Sequence, residues 1–395
     1  MRLSSLLHTL FVNASKSLDK RVHKALMLAA ETLSKHKHLS IAGLGRQLPT
    51  PAKVKHNIKR IDRLFGNKKL QTNIANYYAD IANHLIKPGS RPVIAIDWSG
   101  LTKCGEYYFL RASIPCKGRA LPILDMTFKL CDYTAPKSHK VFLNTLSQII
   151  PNDCCPVIVT DAGFRVPWFK QVASLGWDFV GRVRNLTQYK NSEINTWRPV
   201  KSLYDQASAK AKYLFEGLLA KSNPFSCHFY TVKRKKMNRI RKNLAGKMIQ
   251  CSLSKKHERR GNEPWLLATS LPPEQYNAFK IVKMYKSRMQ IEESIRDFKN
   301  VRNGFGLRHC RSKSIDRLNV ALLIGALAML TLWLIGVAVK MRHKHYEYQA
   351  NTIRHRSVLS NIIIGWQALI REASCISYHE LRVAKQLLNE EALAW

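Results

Sequence analysis

Two aspartates follow short apolar runs that are typical of buried strands. Asp97 follows the run 94–96, Ile-Ala-Ile, and Asp161 follows the run 158–160, Ile-Val-Thr. If the two strands are neighbours in one sheet, both carboxylates lie at the same edge, where like charges repel unless cations stand between them. The pattern therefore predicts a magnesium site, whereas an aspartate that only caps a following helix would explain either residue alone.

A third carboxylate lies in the amphipathic segment 285–299. In a helix each residue is rotated by about 100° from the one before it. Four polar side chains then fall within one stripe roughly 60° wide: Tyr285, Arg288, Glu292 and Lys299. Arg296 lies beside this stripe. One carboxylate among cations suits a metal ion held next to phosphates. Glu293 lies about 80° from Tyr285, which favours Glu292 as the ligand. A surface helix with mixed charges is the alternative interpretation.

The spacing Tyr-x2-Arg-x3-Glu-x6-Lys in this segment resembles the signature of a family of bacterial insertion-sequence transposases. With Asp97 and Asp161 it makes up the acidic triad of DDE transposases. The chain is similar to the transposases of transposon ten and, more distantly, of transposon five, which move DNA by cut and paste. The resemblance covers nearly the whole chain, and all four positions of the signature are present.

The resemblance implies an enzyme that cleaves and rejoins DNA. In such an enzyme Asp97, Asp161 and Glu292 hold two Mg²⁺ ions, for which Mn²⁺ substitutes, and water is activated for in-line attack at the transposon end. The freed 3′-hydroxyl attacks the opposite strand to form a hairpin, a second water opens it, and strand transfer into target DNA follows. The implied partner is double-stranded DNA, bound by a homodimer in the synaptic complex. No nucleotide cofactor is expected, because the sequence has no G-x-x-x-x-G-K-[ST] motif.

The same resemblance assigns side chains to the DNA near the cut. Three of them would hold phosphates: Tyr285, Arg288 and Lys299. Arg296, which lies beside them on the helix, is predicted to do the same. Trp265, on the strand before the helix, would stack on a base turned out of the duplex, and a tryptophan in the buried core is the alternative. The place of a second stacking tryptophan, three residues before the glutamate, is taken by Met289.

The elements that must position these residues follow the order of a ribonuclease H-like core. Strands are predicted near 93–96, 107–114, 120–130, 156–160 and 178–183, with helices at 138–150 and 166–175. A strand at 264–270 and a helix at 278–300 complete the core. The expected fold class is α/β: a ribonuclease H-like mixed-sheet catalytic core with an inserted β subdomain, flanked by helical N- and C-terminal regions.

Two basic segments lie outside this core. A helix at 20–35 is followed, in 39–65, by two short helices separated by a Pro-Thr-Pro break, which resemble a helix-turn-helix. The second of these carries Lys59, Arg60 and Arg63, which we expect to recognise transposon ends. Within 185–263, strands at 226–232 and 247–253 flank the basic run 233–236, interpreted as a hairpin tip that contacts DNA. An ordinary helical hairpin and a solvated loop are the respective alternatives.

These elements predict five parts: a helical DNA-binding region at 1–85, the first part of the core at 86–184, an inserted strand-rich basic subdomain at 185–263, the second part of the core at 264–345, and a helical C-terminal region at 346–395 with helices near 355–371 and 378–392. The segment 320–339 has no charged residue and is long enough to cross a bilayer. We interpret it as the central helix of a large core, so that no membrane is expected as a partner.

The composition favours a nucleic-acid partner. The 395 residues include 65 Lys or Arg against 26 Asp or Glu, a formal charge of +39, which is typical of proteins that neutralise phosphates. The nine cysteines form no C-x-x-C pair, which argues against a zinc ribbon or a disulfide framework and indicates a cytoplasmic protein. Two alternatives remain open: a ribonuclease H-like nuclease or resolvase without strand transfer, and a non-enzymatic or membrane-tethered DNA-binding protein.

Overall fold

A computed structural model describes residues 3–393 apart from 103, 117, 186, 192, 194, 235–251, 253–261 and 372–376. The chain divides into two compact units. The first comprises Met1–Pro156 and Ser287–Trp395, and the second comprises Val157–Lys286. The chain thus leaves the first unit after Pro156 and returns to it at Ser287.

The N-terminal region of the first unit is helical. Its helices are α1 (Leu3–Leu10), α2 (Val12–Ser15), α3 (Lys20–His36), α4 (Ile41–Gln47), α5 (Val54–Phe65), α6 (Lys68–Thr72) and α7 (Ile74–Leu85). The side chains of Asp19, Ser40 and Asn67 accept hydrogen bonds from backbone N–H groups in the first turns of α3, α4 and α6, which satisfies donors that a helix start leaves open. The helices predicted at 20–35 and within 39–65 are confirmed.

Three strands of the first unit form an antiparallel meander: β1 (Val93–Gly100), β2 (Tyr107–Cys116) and β3 (Arg119–Lys129). In the strand register, Asp97 on β1 lies opposite Arg111 on β2, and Arg111 lies opposite Asp125 on β3. The sequence predicted that β1 ends at Asp97, and this was wrong. The next three residues of β1 continue the ladder with β2, and the Trp98 ring packs on Phe128 at 5.3 Å between centroids.

Five helices complete the described part of the first unit: α8 (Pro136–Ile149), α11 (Met289–Lys299), α12 (Ile315–Met341), α13 (Asn361–Ile370) and α14 (Tyr378–Leu393). By length and composition α12 could cross a membrane, but its apolar window is buried in the unit over its full length. The prediction of a central core helix is therefore confirmed.

Close helix packing at α12 depends on glycine. A Cβ added at Gly336 would lie 1.9 Å from the carbonyl oxygen of Asn361, at the start of α13. A Cβ at Gly325 would lie 2.4 Å from the Phe298 ring of α11. Only a residue without a side chain permits such approaches, so these glycines set how closely α11 and α13 pack against the central helix.

The second unit is built on a mixed sheet. Its elements are β4 (Val157–Thr160), α9 (Val166–Ser174), β5 (Asp178–Val183), β6 (Gln188–Asn191), β7 (Arg198–Pro199), β8 (Lys212–Leu219), β9 (Phe225–Val232), β10 (Trp265–Thr269) and α10 (Ala278–Ser287). The strand order is β4-β5-β10-β9-β8-β6-β7, with β4 and β5 parallel and the other pairs antiparallel. The strands predicted at 226–232 and 264–270 are confirmed. The basic residues within 235–242 lie outside the described residues, as does the strand predicted at 247–253 apart from Ser252.

The helix predicted over 278–300 is interrupted. It consists of α10 and α11, with the break at Arg288, where the Ile291 N–H donates to the Arg288 carbonyl oxygen at 3.0 Å in a three-residue turn. Arg288 keeps helical backbone angles, with φ −52° and ψ −32°. The apolar periodicity therefore continues through the break, and this is why the sequence predicted one helix.

Candidate active site

The first unit brings Asp97, Arg288 and Glu292 into contact. Arg288 Nη1 donates to Asp97 Oδ2 at 3.4 Å, and Arg288 Nη2 donates to Glu292 Oε1 at 2.7 Å. The exposed side-chain fractions are 8% for Arg288, 17% for Asp97 and 42% for Glu292. One guanidinium is thus shared between a strand carboxylate and a carboxylate one turn further along α11. Charge-assisted hydrogen bonds of this kind are stronger than neutral ones.

Lys299, at the end of α11, reaches the same strand. Its Nζ donates to Ser99 Oγ at 2.5 Å, and Ser99 lies on the same face of β1 as Asp97 because side chains two residues apart in a strand point the same way. Burial lowers the pKa of Lys299 to about 8, Arg308 and Arg111 lower it as well, and Asp97 opposes them. The Lys299 ammonium therefore loses its proton within the range of ordinary assays.

A buried arginine that the sequence interpretation missed fixes α11 to the sheet. Arg111 is fully buried, and its Nε and Nη2 each donate to the Asp125 carboxylate at 2.7 Å. Its Nη1 donates to Ser294 Oγ at 3.2 Å, and its guanidinium lies 3.8 Å from the centre of the Phe298 ring. Ser294 and Phe298 both belong to α11. A single arginine inside the apolar run 109–114 was the sequence signal for this ion pair.

Arg296 occupies a different position from the other cations of the predicted stripe. Its Nη1 donates to Glu293 Oε2 at 2.8 Å, and its side chain is 63% exposed. The structure thus pairs Arg296 with the neighbouring glutamate, while Arg288 pairs with Glu292. Surface ion pairs of this spacing contribute little to stability.

In the second unit Asp161 directly follows β4 and is half-buried. The Gly163 N–H donates to Asp161 Oδ1 at 2.8 Å, which holds the carboxylate in one orientation. Asp161 lines an open cavity of about 1130 Å³. The other charged residues that line this cavity are cations: Arg165, Arg182, Arg184 and Lys221. A cavity with one carboxylate and four cations suits a phosphate backbone.

Arg182 and Arg184 stand two residues apart on and just after β5, and sequence reasoning did not single them out. Arg184 forms an ion pair with Glu263, and Arg182 Nη2 lies 4.0 Å from Glu263 Oε2. The alternation Arg-Val-Arg at the end of a buried strand was the available signal, since it puts both guanidinium groups on one side of the sheet.

Trp265 and Tyr285 contact each other in the second unit. Their ring centroids are 4.8 Å apart at 80°, an edge-to-face arrangement, and they are 5% and 2% exposed. Trp265 lies on β10, between β5 and β9, and the Arg234 guanidinium lies 4.5 Å from the centre of its ring. The indole is therefore buried in this structure, with the Arg234 guanidinium over its ring.

The predicted recognition residues Lys59, Arg60 and Arg63 are all exposed on α5. The opposite side of α5 is buried, and a Cβ added at Gly45 of α4 would lie 2.5 Å from the Ile58 Cα. The two helices therefore pack closely, and α5 presents a row of cations to the solvent.

Among the residues that the structure describes, no group of three or more His, Cys, Asp or Glu side chains is arranged to hold a metal ion. Asp97 and Glu292 nevertheless share one cation, the Arg288 guanidinium. Carboxylate oxygens are the donors that Mg²⁺ and Mn²⁺ prefer. The donor chemistry of these two residues therefore fits a divalent ion.

Part of the chain matches a known protein family. Residues 88–331 match the family model described as a transposase DDE domain. The match covers more than half of the chain, runs from just before β1 into α12, and includes Asp97, Asp161 and Glu292. None of the curated proteins compared with the chain matches it.

Proposed function

We propose that this chain, which belongs to the DDE transposase family, moves an insertion sequence by cut and paste. The family indicates a transposase that acts on DNA and carries a ribonuclease H-like fold, in agreement with a mixed α/β chain that has both parallel and antiparallel strand pairs. The observation that carries the finer proposal is the contact of Asp97 and Glu292 with one shared cation.

The proposed catalytic residues are Asp97, Asp161 and Glu292, which would together hold two Mg²⁺ ions, with Mn²⁺ able to substitute. Bound divalent ions lower the pKa of water and neutralise charge on the scissile phosphate. The chain itself orients the carboxylates. Asp97 is fixed within the β1 ladder, Glu292 is carried by a helix that Arg111 fastens to the sheet, and Asp161 accepts the Gly163 N–H.

The cations around these carboxylates would bind DNA. Lys299 lies beside Asp97 on the Ser99 hydroxyl and is placed to hold a phosphate next to the cut. Tyr285 and Arg288 belong to the Tyr-Arg-Glu-Lys signature, and Arg296 lies beside it on the helix. We assign all three to neighbouring phosphates. The cationic cavity around Asp161 would accept a length of DNA backbone, since its arginines and lysine supply charge without base-specific contacts.

The proposed reaction order follows the relatives with this signature, the transposases of transposon ten and transposon five. Water would cut one strand at the transposon end, the 3′-hydroxyl would attack the opposite strand to form a hairpin, and a second water would open it. Strand transfer into target DNA would complete the cycle in a homodimeric synaptic complex. Trp265 is the candidate for stacking on a displaced base, and α5 is the candidate for recognising the ends.

The proposal is tested with the purified chain and a DNA duplex that carries the inverted repeats flanking its gene. In Mg²⁺ we expect cuts at the tips of the repeats, hairpin ends, and joined products with a target plasmid, and in EDTA none of these. Cleavage without joining would support a nuclease or resolvase instead. Binding to the repeats with no cleavage in either Mg²⁺ or Mn²⁺ would support a non-enzymatic DNA-binding protein.

A further inference from the structure

Arg288 contacts both of the carboxylates in the first unit that the proposed function assigns to a metal ion. Its guanidinium contacts Asp97 and Glu292 at the same time, and its side chain is 8% exposed. Two carboxylates that share one contact partner are stabilised in their charged form when that partner is a cation. Arg288 is that cation in this structure.

The same residue is also assigned to a DNA phosphate, and one guanidinium has a limited set of donors to share between these partners. A divalent ion bound by Asp97 and Glu292 would place two positive charges against the guanidinium. Like charges that contact the same carboxylates repel, and the repulsion is greatest at the buried Arg288 side of the site, which is 8% exposed. The carboxylates therefore can keep Arg288 or accept the metal ion, but they do not favour both together.

The position of Arg288 in the chain allows it to change partners. It lies at the interruption between α10 and α11, where the Ile291 N–H donates to the Arg288 carbonyl oxygen at 3.0 Å, the spacing of a 3₁₀ turn. The boundary between the two compact units falls between Lys286 and Ser287, so that one residue separates it from Arg288. Breaks of this kind in a helix occur at functional hinges.

We infer that Arg288 is a built-in counter-ion of the metal site, which a divalent ion displaces and thereby releases to bind a DNA phosphate. This inference rests on the proposed function, because it takes Asp97 and Glu292 as metal ligands. It adds that metal and DNA bind cooperatively through one side chain. By linkage, each then raises the affinity for the other by the same factor.

The test measures Mn²⁺ binding to the full-length, metal-free protein at pH 7 without DNA, using the paramagnetic resonance signal of free Mn²⁺. Arg288→Gln removes the competing cation, and we expect it to lower the Kd for Mn²⁺ by about tenfold or more. Lys299→Gln is the matched control. This variant also removes a positive charge close to Asp97, but the Lys299 ammonium donates its hydrogen bond to Ser99 and not to a carboxylate. We expect it to change the Kd for Mn²⁺ by less than about threefold.

Two further measurements guard against misfolding. Arg288→Lys keeps the charge but cannot bridge two carboxylates in the same way, so it should shift the Kd in the same direction by less. In EDTA, Arg288→Gln should melt at a lower temperature than the wild type, and Mn²⁺ should raise its melting temperature by more than it raises that of the wild type.

The outcomes separate this inference from the proposed function. Equal shifts for Arg288→Gln and Lys299→Gln, or no tightening in Arg288→Gln, would overturn the counter-ion role while leaving the metal site in place. Asp97→Asn should lose Mn²⁺ binding. If it binds Mn²⁺ as the wild type does, then the carboxylates are not the metal ligands, and both the site and the inference fail.

Discussion

Lys299 is the residue near the candidate site whose protonation is shifted furthest into the neutral range. Burial and the nearby Arg308 and Arg111 hold its pKa at about 8, so the free protein loses this proton as the pH rises through 8. A bound phosphate favours the charged form, and binding above pH 8 must therefore take up a proton. The contribution of Lys299 to DNA binding should be full below pH 8 and decline above it.

We predict that the affinity of the wild type for a transposon end falls by up to about tenfold between pH 7.5 and pH 9.5, measured by fluorescence anisotropy without divalent metal. Lys299→Gln should bind more weakly at pH 7.5 and lose most of this pH dependence. Lys299→Arg should retain the affinity across the range. An unchanged slope in Lys299→Gln would assign the proton to another group.

A variant at Trp265 can distinguish base stacking from core packing as the role of this buried side chain. Stacking on a base that leaves the duplex is worth roughly 1 to 3 kcal/mol, and only the hairpin step needs that distortion. We predict that Trp265→Ala leaves first-strand nicking nearly intact while hairpin yield falls by about one to two orders of magnitude. Nick and hairpin yields in a single time course measure this.

Trp168, which is 1% exposed in the same unit, supplies the control for plain core packing. Trp168→Ala should lower stability by about 3 to 5 kcal/mol and depress every step together. If Trp265→Ala behaves in the same way, with a lowered melting temperature and parallel loss of nicks and hairpins, its role is structural.

The α5 helix can be tested as an element, because its buried side is well packed and its cations are exposed. We predict that replacing Lys59, Arg60 and Arg63 together by glutamine weakens end binding and flattens its salt dependence. Each lost phosphate contact should reduce the slope of log affinity against log salt by about 0.9. A gel-shift titration at several salt concentrations measures both quantities.

The neighbouring helix α3 offers a control with the same change of charge. Lys20, Arg21 and Lys24 are also exposed, and their joint replacement by glutamine should change the slope less if α5 is the recognition element. Equal effects of the two triple variants would mean that end binding depends on overall charge and not on α5.

At the level of elements, the sequence predicts types and approximate limits well because side-chain burial repeats with the period of a strand or a helix. Hydrogen-bond register is not visible in that pattern. For this reason the extension of β1 beyond Asp97 and the break at Arg288 were both missed. In the candidate site, too, the sequence predicted local features but not the contacts between distant segments. Spacing identified Glu292 and Lys299 on one stripe, but the shared guanidinium between Asp97 and Glu292 depends on the contact of a strand with a distant helix.

Over the whole molecule, the formal charge of +39 and the family match point to the same partner. The apolar helix α12 is accounted for by burial within the first unit, where α11 and α13 pack on its glycines. The first unit carries Asp97 and Glu292, and the second carries Asp161. The proposed reaction therefore requires carboxylates from both units. The division of the chain into five parts, made from the sequence, stays a prediction.

The most direct measurement of that requirement is nicking of a labelled transposon end in Mg²⁺ by single carboxylate variants. We predict that Asp97→Asn, Asp161→Asn and Glu292→Gln each reduce cleavage by at least about 1000-fold, because the residues act as one unit. End binding should remain within about threefold, since recognition depends on cations elsewhere. Glu293→Gln is the matched control, because Glu293 is adjacent to Glu292 but pairs with Arg296, and it should keep most of its activity. Cleavage at the wild-type rate by Asp97→Asn, or equal loss in Glu293→Gln and Glu292→Gln, would contradict the assignment of this site.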